Sequence, residues 1–330
     1  MSQNKLVIIG VGHVGSYVLA DAMKLRLFAE IVLIDSQEQV ARGEAMDQAQ
    51  ATALTYMSNI DVHAGSYRDC ADADVIIIAA GPSILKDPTR PDGQPDRAGL
   101  AVVNAGVIRE VMGQLVQYTR DAVVILITNP LDTMVYLAEN EFNYPSGRIF
   151  GTGTMLDSAR LRKYVADIYK VDPKSVNGYM MGEHGATAFP VLSHLNIQGI
   201  PVSQLPLFFP GTIALEADGT QKAIVKMAFD VLNNKGWTNA GVAQAAITLA
   251  QAVLLDERTV YPVSRTLYGC YGFDGDVALS VPSIIGRHGV EQTIPVSLDE
   301  REQGLLEASA AYIKQTIARV CPARPARSSC

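Results

Sequence analysis

The sequence predicts an α/β protein with a doubly wound parallel sheet in its first half and a second unit of α+β character. Three observations carry that expectation. Short β-branched runs alternate with longer helical patterns over the first half, as in sheets with helices on both faces. A glycine-rich turn, Gly10-Val11-Gly12-His13-Val14-Gly15, stands between the first such run and the first helical one. Beyond about residue 153 the alternation gives way to hairpin-like strands, a helix-rich stretch and a second strand group.

Taken in order, the strands of the first half are expected at residues 5–9, 31–34, 75–79 and 123–128. Helices are expected at 14–24, 37–51 and 100–118, and a shorter strand near 148–151 closes the unit. A long helix starts near Asp157, followed by strands around 175–181 and 192–197. A helix-rich stretch then covers 213–255, strands return over 260–285, and the last helix runs over about 299–320. The tail at 321–330 holds two prolines and no apolar period, and is expected to be disordered. The resulting division is a cofactor-binding domain at 1–153, a substrate domain at 154–320 and the tail.

Composition excludes several classes of function. Hydrophobic residues make up 48% of the 330 and charged residues 18%, as in a globular protein of two ordinary domains. The net charge of −7, with no compensating basic cluster, argues against nucleic acid as a partner. The longest apolar runs, such as 75–80 and 122–127, are too short to span a bilayer, so no membrane is expected. The N-terminus lacks a signal-peptide pattern, and Cys70, Cys270, Cys321 and Cys330 are scattered without metal-ligand spacing. Reduced thiols in a cytoplasmic protein without a metal are the expectation.

The glycines of the 10–15 turn permit close backbone approach, so that a pyrophosphate rests on the N-terminus of the helix that follows. With a strand before it and Asp35 ending the next strand, the turn has the context of a Rossmann dinucleotide site. A carboxylate at Asp35 would accept from the adenosine ribose and repel a 2′-phosphate, favouring NAD over NADP.

Gly182-Glu183-His184-Gly185 places a histidine between glycines, where the backbone can aim an imidazole into a small cavity. Asp157 and Arg160, three apart at a helix start, share a face. Arg160 could grip a carboxylate with its two-pronged guanidinium, and Asp157 could hold one nitrogen of His184. His184 would then give or take the proton on a substrate oxygen. Arg97 ends the Gly/Pro-rich stretch 81–96, which reads as a lid, and is the candidate for polarising the substrate carbonyl.

These segments, with Gly43-Glu44-Ala45-Met46-Asp47, Ala64-Gly65-Ser66-Tyr67, Thr128-Asn129-Pro130-Leu131-Asp132, Lys235-Gly236-Trp237-Thr238 and Pro282-Ser283-Ile284-Ile285-Gly286-Arg287, resemble the L-lactate/L-2-hydroxyacid dehydrogenase family over nearly the whole chain. The resemblance implies that His184 is the proton donor and acceptor, with Asp157 as its partner. Arg160 would bind the substrate carboxylate, Arg97 polarise the C2 oxygen, Asn129 hold substrate and nicotinamide, and Thr238 line the side-chain pocket. Gly10, Gly12, Val14, Gly15, Asp35, Tyr67, Gly81 and Thr152 fall at family NAD positions. A small 2-oxo or 2-hydroxy acid substrate and a homodimer or homotetramer are expected with it.

The chain also departs from the family pattern. Residues 82–96 are longer than the lid of lactate enzymes and resemble that of L-2-hydroxyisocaproate dehydrogenases, which leaves lactate and bulkier branched substrates both open. Arg90, aligned through Gly93, falls where malate enzymes carry a second-carboxylate arginine; aligned through Arg97 it does not, and a solvated lid charge is the preferred reading. Ala186 stands where Asp or Asn is common. Asn177 replaces the histidine that pairs with an arginine, here Arg162, in sugar-bisphosphate-activated members, which speaks against such activation. The alternatives to an NAD-dependent L-2-hydroxyacid dehydrogenase are a malate dehydrogenase and a dinucleotide-binding protein without turnover.

Overall fold

A computed structural model describes residues 4–54, 56–83 and 97–321, without the side chains of Arg97 and Ala98. The elements run β1 (Lys5–Ile9), α1 (His13–Ala22), β2 (Glu30–Ile34), α2 (Glu38–Ala51), β3 (Asp61–Ala64), β4 (Val75–Ile78), α3 (Arg97–Leu115), β5 (Val123–Leu126), α4 (Leu131–Glu141) and β6 (Ile149–Gly151). There follow α5 (Met155–Tyr169), β7 (Val176–Asn177), β8 (Met180–Met181), β9 (Phe189–Pro190), β10 (Asn196–Ile197), β11 (Ile200–Pro201), α6 (Leu205–Phe208), α7 (Ala217–Lys235), α8 (Ala240–Leu254), β12 (Thr259–Cys270), β13 (Phe273–Gly286), β14 (Gly289–Thr293) and α9 (Glu300–Val320).

Among the described residues, nine strands form one sheet in the order β14-β13-β12-β6-β5-β4-β1-β2-β3. The strands from β3 to β6 are parallel, and β12 joins the β6 edge antiparallel through Ser264 opposite Gly151. Chain order reverses between β1 and β4, and such a switch point opens a crevice at the carboxyl ends of the strands.

Strands β4 and β5, and β1 and β2 after their first residues, are apolar because both faces are covered. Successive side chains point to opposite faces. Leu6, Ile8, Ile31, Leu33 and Ile77 therefore pack with Val18 and Leu19 of α1 and Ala246 of α8. Val7, Ile9, Val32, Ile76 and Ile78 pack with Ile108 of α3 and Met134 of α4. Ile76, Ile77 and Ile78 are wholly buried, and each contributes about 1.5–3 kcal/mol of transfer free energy. Helix α8 belongs to the second half of the chain yet covers the sheet beside α1, so both halves frame the crevice.

The expected strands and helices are present, with differences at their ends. Short β3, whose four residues include Asp61 and His63, and α4 escaped the sequence reading. The helix-rich stretch over 213–255 breaks at Gly236, whose φ of +87° ends α7. The disorder expected beyond Cys321 and the lid beyond Ser83 lie outside the described residues, as does Arg90.

Candidate active site

The turn after β1 is tightly built. Gly10 has φ +91°, and a Cβ there would stand 2.6 Å from the Ala80 backbone. A Cβ on Gly15 would meet the Gly10 carbonyl at 1.9 Å, so α1 rests directly on the turn. Gly12 faces open space and is the N-cap of α1, with no side chain capping its first-turn N–H groups. This donor set fits an anionic pyrophosphate. Asp35 fixes the turn from β2: its Oδ2 accepts from the Val11 N–H at 2.8 Å, and Oδ1 from the Gln37 N–H at 2.8 Å.

Across the crevice, α5 starts directly after β6. The Thr154 hydroxyl donates to the Met180 carbonyl at 2.6 Å, and the Met180 N–H donates to Ser158 Oγ at 2.9 Å. These bonds clamp the start of α5, whose first two turns carry Asp157 and Arg160, against β8. Beyond β8 the chain turns at Gly182 (φ +91°), which pairs with Ser280 of β13. The Glu183 N–H donates to Ser309 Oγ at 2.7 Å, and the Glu183 carboxylate accepts from the Thr187 N–H and hydroxyl at 2.9 and 2.6 Å. The loop is thus folded onto its own acid, with His184 at its crest.

His184 Nδ1 lies 2.7 Å from Asp157 Oδ2, and Arg160 Nη1 donates to Asp157 Oδ1 at 3.0 Å. Asp157 is 6% exposed. Burial alone would raise its pKa, but the His184 and Arg160 charges and their hydrogen bonds hold it below the usual carboxylate value. Burial likewise opposes the His184 cation; the Asp157 charge and hydrogen bond, joined by Asp132, outweigh it and raise the His184 pKa.

A cavity of about 410 Å³ joins the two sides. Among residues expected from the sequence, Gly12, Val14, Gly81, Asn129, Thr152, Asp157, Arg160, His184 and Thr238 line it. Gly10, Gly15 and Asp35 build the turn beneath its edge rather than its wall. Tyr67 stands apart, on a short 3-10 turn after β3, where burial pushes its hydroxyl up to about 12. The Arg97 side chain lies outside the described residues. Helix α7 closes the cavity with an apolar stripe of Val225, Phe229 and Leu232.

Two positioning groups were missed as site residues. Asp132 is buried in the first turn of α4; its Oδ2 accepts from the His184 backbone N–H at 2.7 Å and its Oδ1 from the Ser264 hydroxyl at 2.6 Å. Burial pushes its pKa up to about 7. Asn104, fully buried in α3, donates from Nδ2 to the carbonyls of Pro82 (3.0 Å) and Asn129 (2.5 Å), tying two cavity walls together. A lone Asn in the apolar run Leu100–Val107 was a visible signal; Asp132 was quoted only as part of a motif. Among the described residues no group of His, Cys, Asp or Glu is arranged to hold a metal, and no helix is long and apolar enough to cross a membrane.

Comparison with known proteins adds independent findings. Residues 4–151 match the family model of the lactate/malate dehydrogenase NAD binding domain, and residues 154–322 that of the lactate/malate dehydrogenase alpha/beta C-terminal domain. The chain is 43% identical over 315 residues to L-lactate dehydrogenase 2 of Clostridium acetobutylicum, covering 96% of this chain and 97% of that protein. It is 42% identical over 316 residues to an L-lactate dehydrogenase of Selenomonas ruminantium, covering 96% and 98%. The minor L-lactate dehydrogenase of Enterococcus mundtii, solved in a ligands-bound form, superposes with a TM-score of 0.89 at 30% identity, covering 98% of this chain and all of that one.

Proposed function

Because the chain belongs to the lactate/malate dehydrogenase family, a family with an NAD-binding domain, we propose that it is an NAD-dependent L-2-hydroxyacid dehydrogenase that interconverts a small 2-oxo acid and its L-2-hydroxy acid. Pyruvate and bulkier branched 2-oxo acids are the candidate substrates. The observation that carries this reading is the single carboxylate of Asp157, which holds His184 and Arg160 side by side in one cavity with the phosphate turn.

The chemistry follows from the residues. Bound NADH supplies the hydride. The α1 N-terminus, with Gly10, Gly12, Val14 and Gly15, would hold the pyrophosphate, and Asp35 would receive the ribose; Tyr67, Gly81 and Thr152 complete the proposed cofactor set. Arg160 spends one N–H on Asp157 and keeps its other donors for the substrate carboxylate. Asp157 engages Nδ1 of His184, which leaves Nε2 to donate the proton that becomes the product hydroxyl, and to recover it in the reverse direction. Asn129 and Thr238 bound the substrate from two walls, and Arg97, at the start of α3, is proposed to polarise the C2 oxygen.

We place residues 1–153 on the cofactor side and 154–320 on the substrate side. A homo-oligomer in the cytoplasm is the accompanying proposal; the thiols of Cys70 and Cys270 fit a reducing compartment. The test is a panel of pyruvate, 2-ketoisocaproate and oxaloacetate under NADH. Turnover of the first two supports the proposal. Preference for oxaloacetate would make the protein a malate enzyme, and NADH binding without turnover would remove the enzyme reading.

A further inference from the structure

The cofactor turn and the loop after α7 meet through a ring contact. The imidazole of His13, the first residue of α1, lies over the indole of Trp237 with centroids 4.0 Å apart and planes 3° from parallel. One turn along α1, Tyr17 carries the Lys235 ammonium over its ring at 5.6 Å. His13 and Tyr17 are four apart and share a face of the helix. Lys235 and Trp237 flank Gly236, where the chain leaves α7. Lys235 also donates to Asn239, whose side chain caps α8 through the Ala240 N–H at 2.9 Å. The α7–α8 junction is therefore fastened to the cofactor turn at two adjacent points.

Both members of the stack line the cavity that holds His184 and Arg160. The indole Nε1 is buried and has no hydrogen-bond partner among the described residues. No hydrogen bond from that nitrogen to a described residue orients the ring, and the parallel imidazole lies against its face. Aromatic pairs of this kind contribute beyond the area they bury.

We infer that His13 is a positioning residue for the substrate side of the cavity: its ring holds the Trp237 indole in place, and loss of the stack loosens that wall and weakens 2-oxo acid binding. The inference rests on the proposed reduction of 2-oxo acids. It links a residue of the phosphate turn to substrate affinity through a side chain of the second half of the chain.

Trp237 is the single tryptophan of the sequence, so fluorescence excited selectively in the indole band, beyond tyrosine absorption, reports the surroundings of this one ring. The experiment compares wild type, His13→Ala and His13→Phe by acrylamide quenching of Trp237 and by steady-state kinetics with pyruvate and 2-ketoisocaproate at saturating NADH. His13→Ala is expected to increase quenching and to raise the KM of the 2-oxo acid about three- to tenfold, more than it lowers kcat. His13→Phe, which keeps a flat ring, should return both readouts toward wild type. Unchanged quenching in His13→Ala overturns the inference, as does a Phe variant no better than the Ala variant. Weakened NADH binding with unaltered KM and quenching also overturns it, since His13 would then serve the cofactor alone. If wild type reduces no 2-oxo acid, the proposed function fails, and the quenching series still decides whether His13 holds Trp237.

Discussion

His184 and Asp157 are joined at 2.7 Å, Nδ1 to Oδ2, across the boundary between a loop crest and the first turn of α5. The other Asp157 oxygen is taken by Arg160, so the carboxylate cannot rotate away from the imidazole without giving up a second charged partner. Asp157 thereby orients the proposed proton-transfer group and supplies the largest charge that favours its cation.

His184→Ala is expected to keep NADH affinity and lose about two to four orders of magnitude in kcat for 2-oxo acid reduction. Paired measurements of NADH binding and turnover check this. Near-normal turnover would remove His184 from the proton-transfer role.

The direction of the pH dependence follows from the raised His184 pKa. Reduction needs the imidazolium, so its kcat/KM holds at low pH and falls as pH rises through that raised value. Oxidation of the 2-hydroxy acid needs the neutral ring and shows the mirror-image rise. Asp157→Asn removes the charge that stabilises the cation and should move both limbs to lower pH. pH profiles in both directions test it; an unmoved limb would mean that another group titrates.

Asp35 should make wild type strongly prefer NADH over NADPH. Asp35→Asn keeps an acceptor for the Val11 N–H yet removes the charge facing a 2′-phosphate, so the preference should narrow. The ratio of kcat/KM values for the two cofactors is the readout, and equal efficiency in wild type would show that Asp35 does not meet the ribose.

Arg160→Lys should weaken every 2-oxo acid, because a point ammonium cannot replace a two-pronged clamp on the carboxylate they share. Arg90→Ala should leave their ranking unchanged. The substrate panel run on both variants checks this, and a selective loss of oxaloacetate reduction in Arg90→Ala would favour the malate alternative.

Asp132 separates two substitutions of similar size. In Asp132→Asn the amide oxygen can still accept from the His184 N–H, and the amide nitrogen can donate to Ser264 Oγ, so most of the turnover should survive. Asp132→Ala leaves the His184 backbone donor unpaired, which costs about 1–3 kcal/mol. A lower Tm and a kcat loss exceeding any change in KM are expected for the Ala variant alone.

The legible parts of the sequence were those whose physics is local. The alternating faces of β1, β2 and β4, the 10–15 turn and the three-residue spacing of Asp157 and Arg160 are set within a few residues of chain, and all lie as expected. What escaped depends on partners distant in sequence. Ser309 of α9 receives the Glu183 N–H, Ser264 of β12 holds Asp132, and Trp237 finds His13 only once α7 crosses the cavity. Tyr67 was placed by motif alone, and the structure seats it among buried apolar neighbours away from the cavity wall. Strand β3 was missed because its Asp61 and His63 break the apolar run that marked the other strands.

The pairing of β12 onto β6 has a consequence for how this chain can be divided. The two matched halves meet between residues 151 and 154, yet backbone hydrogen bonds run through that junction within a single sheet. A fragment ending there would bare the β6 edge as a template for other chains, and would strip α8 from the apolar layer beside α1. The two halves are therefore expected to melt as one cooperative body, with a single thermal transition as the check.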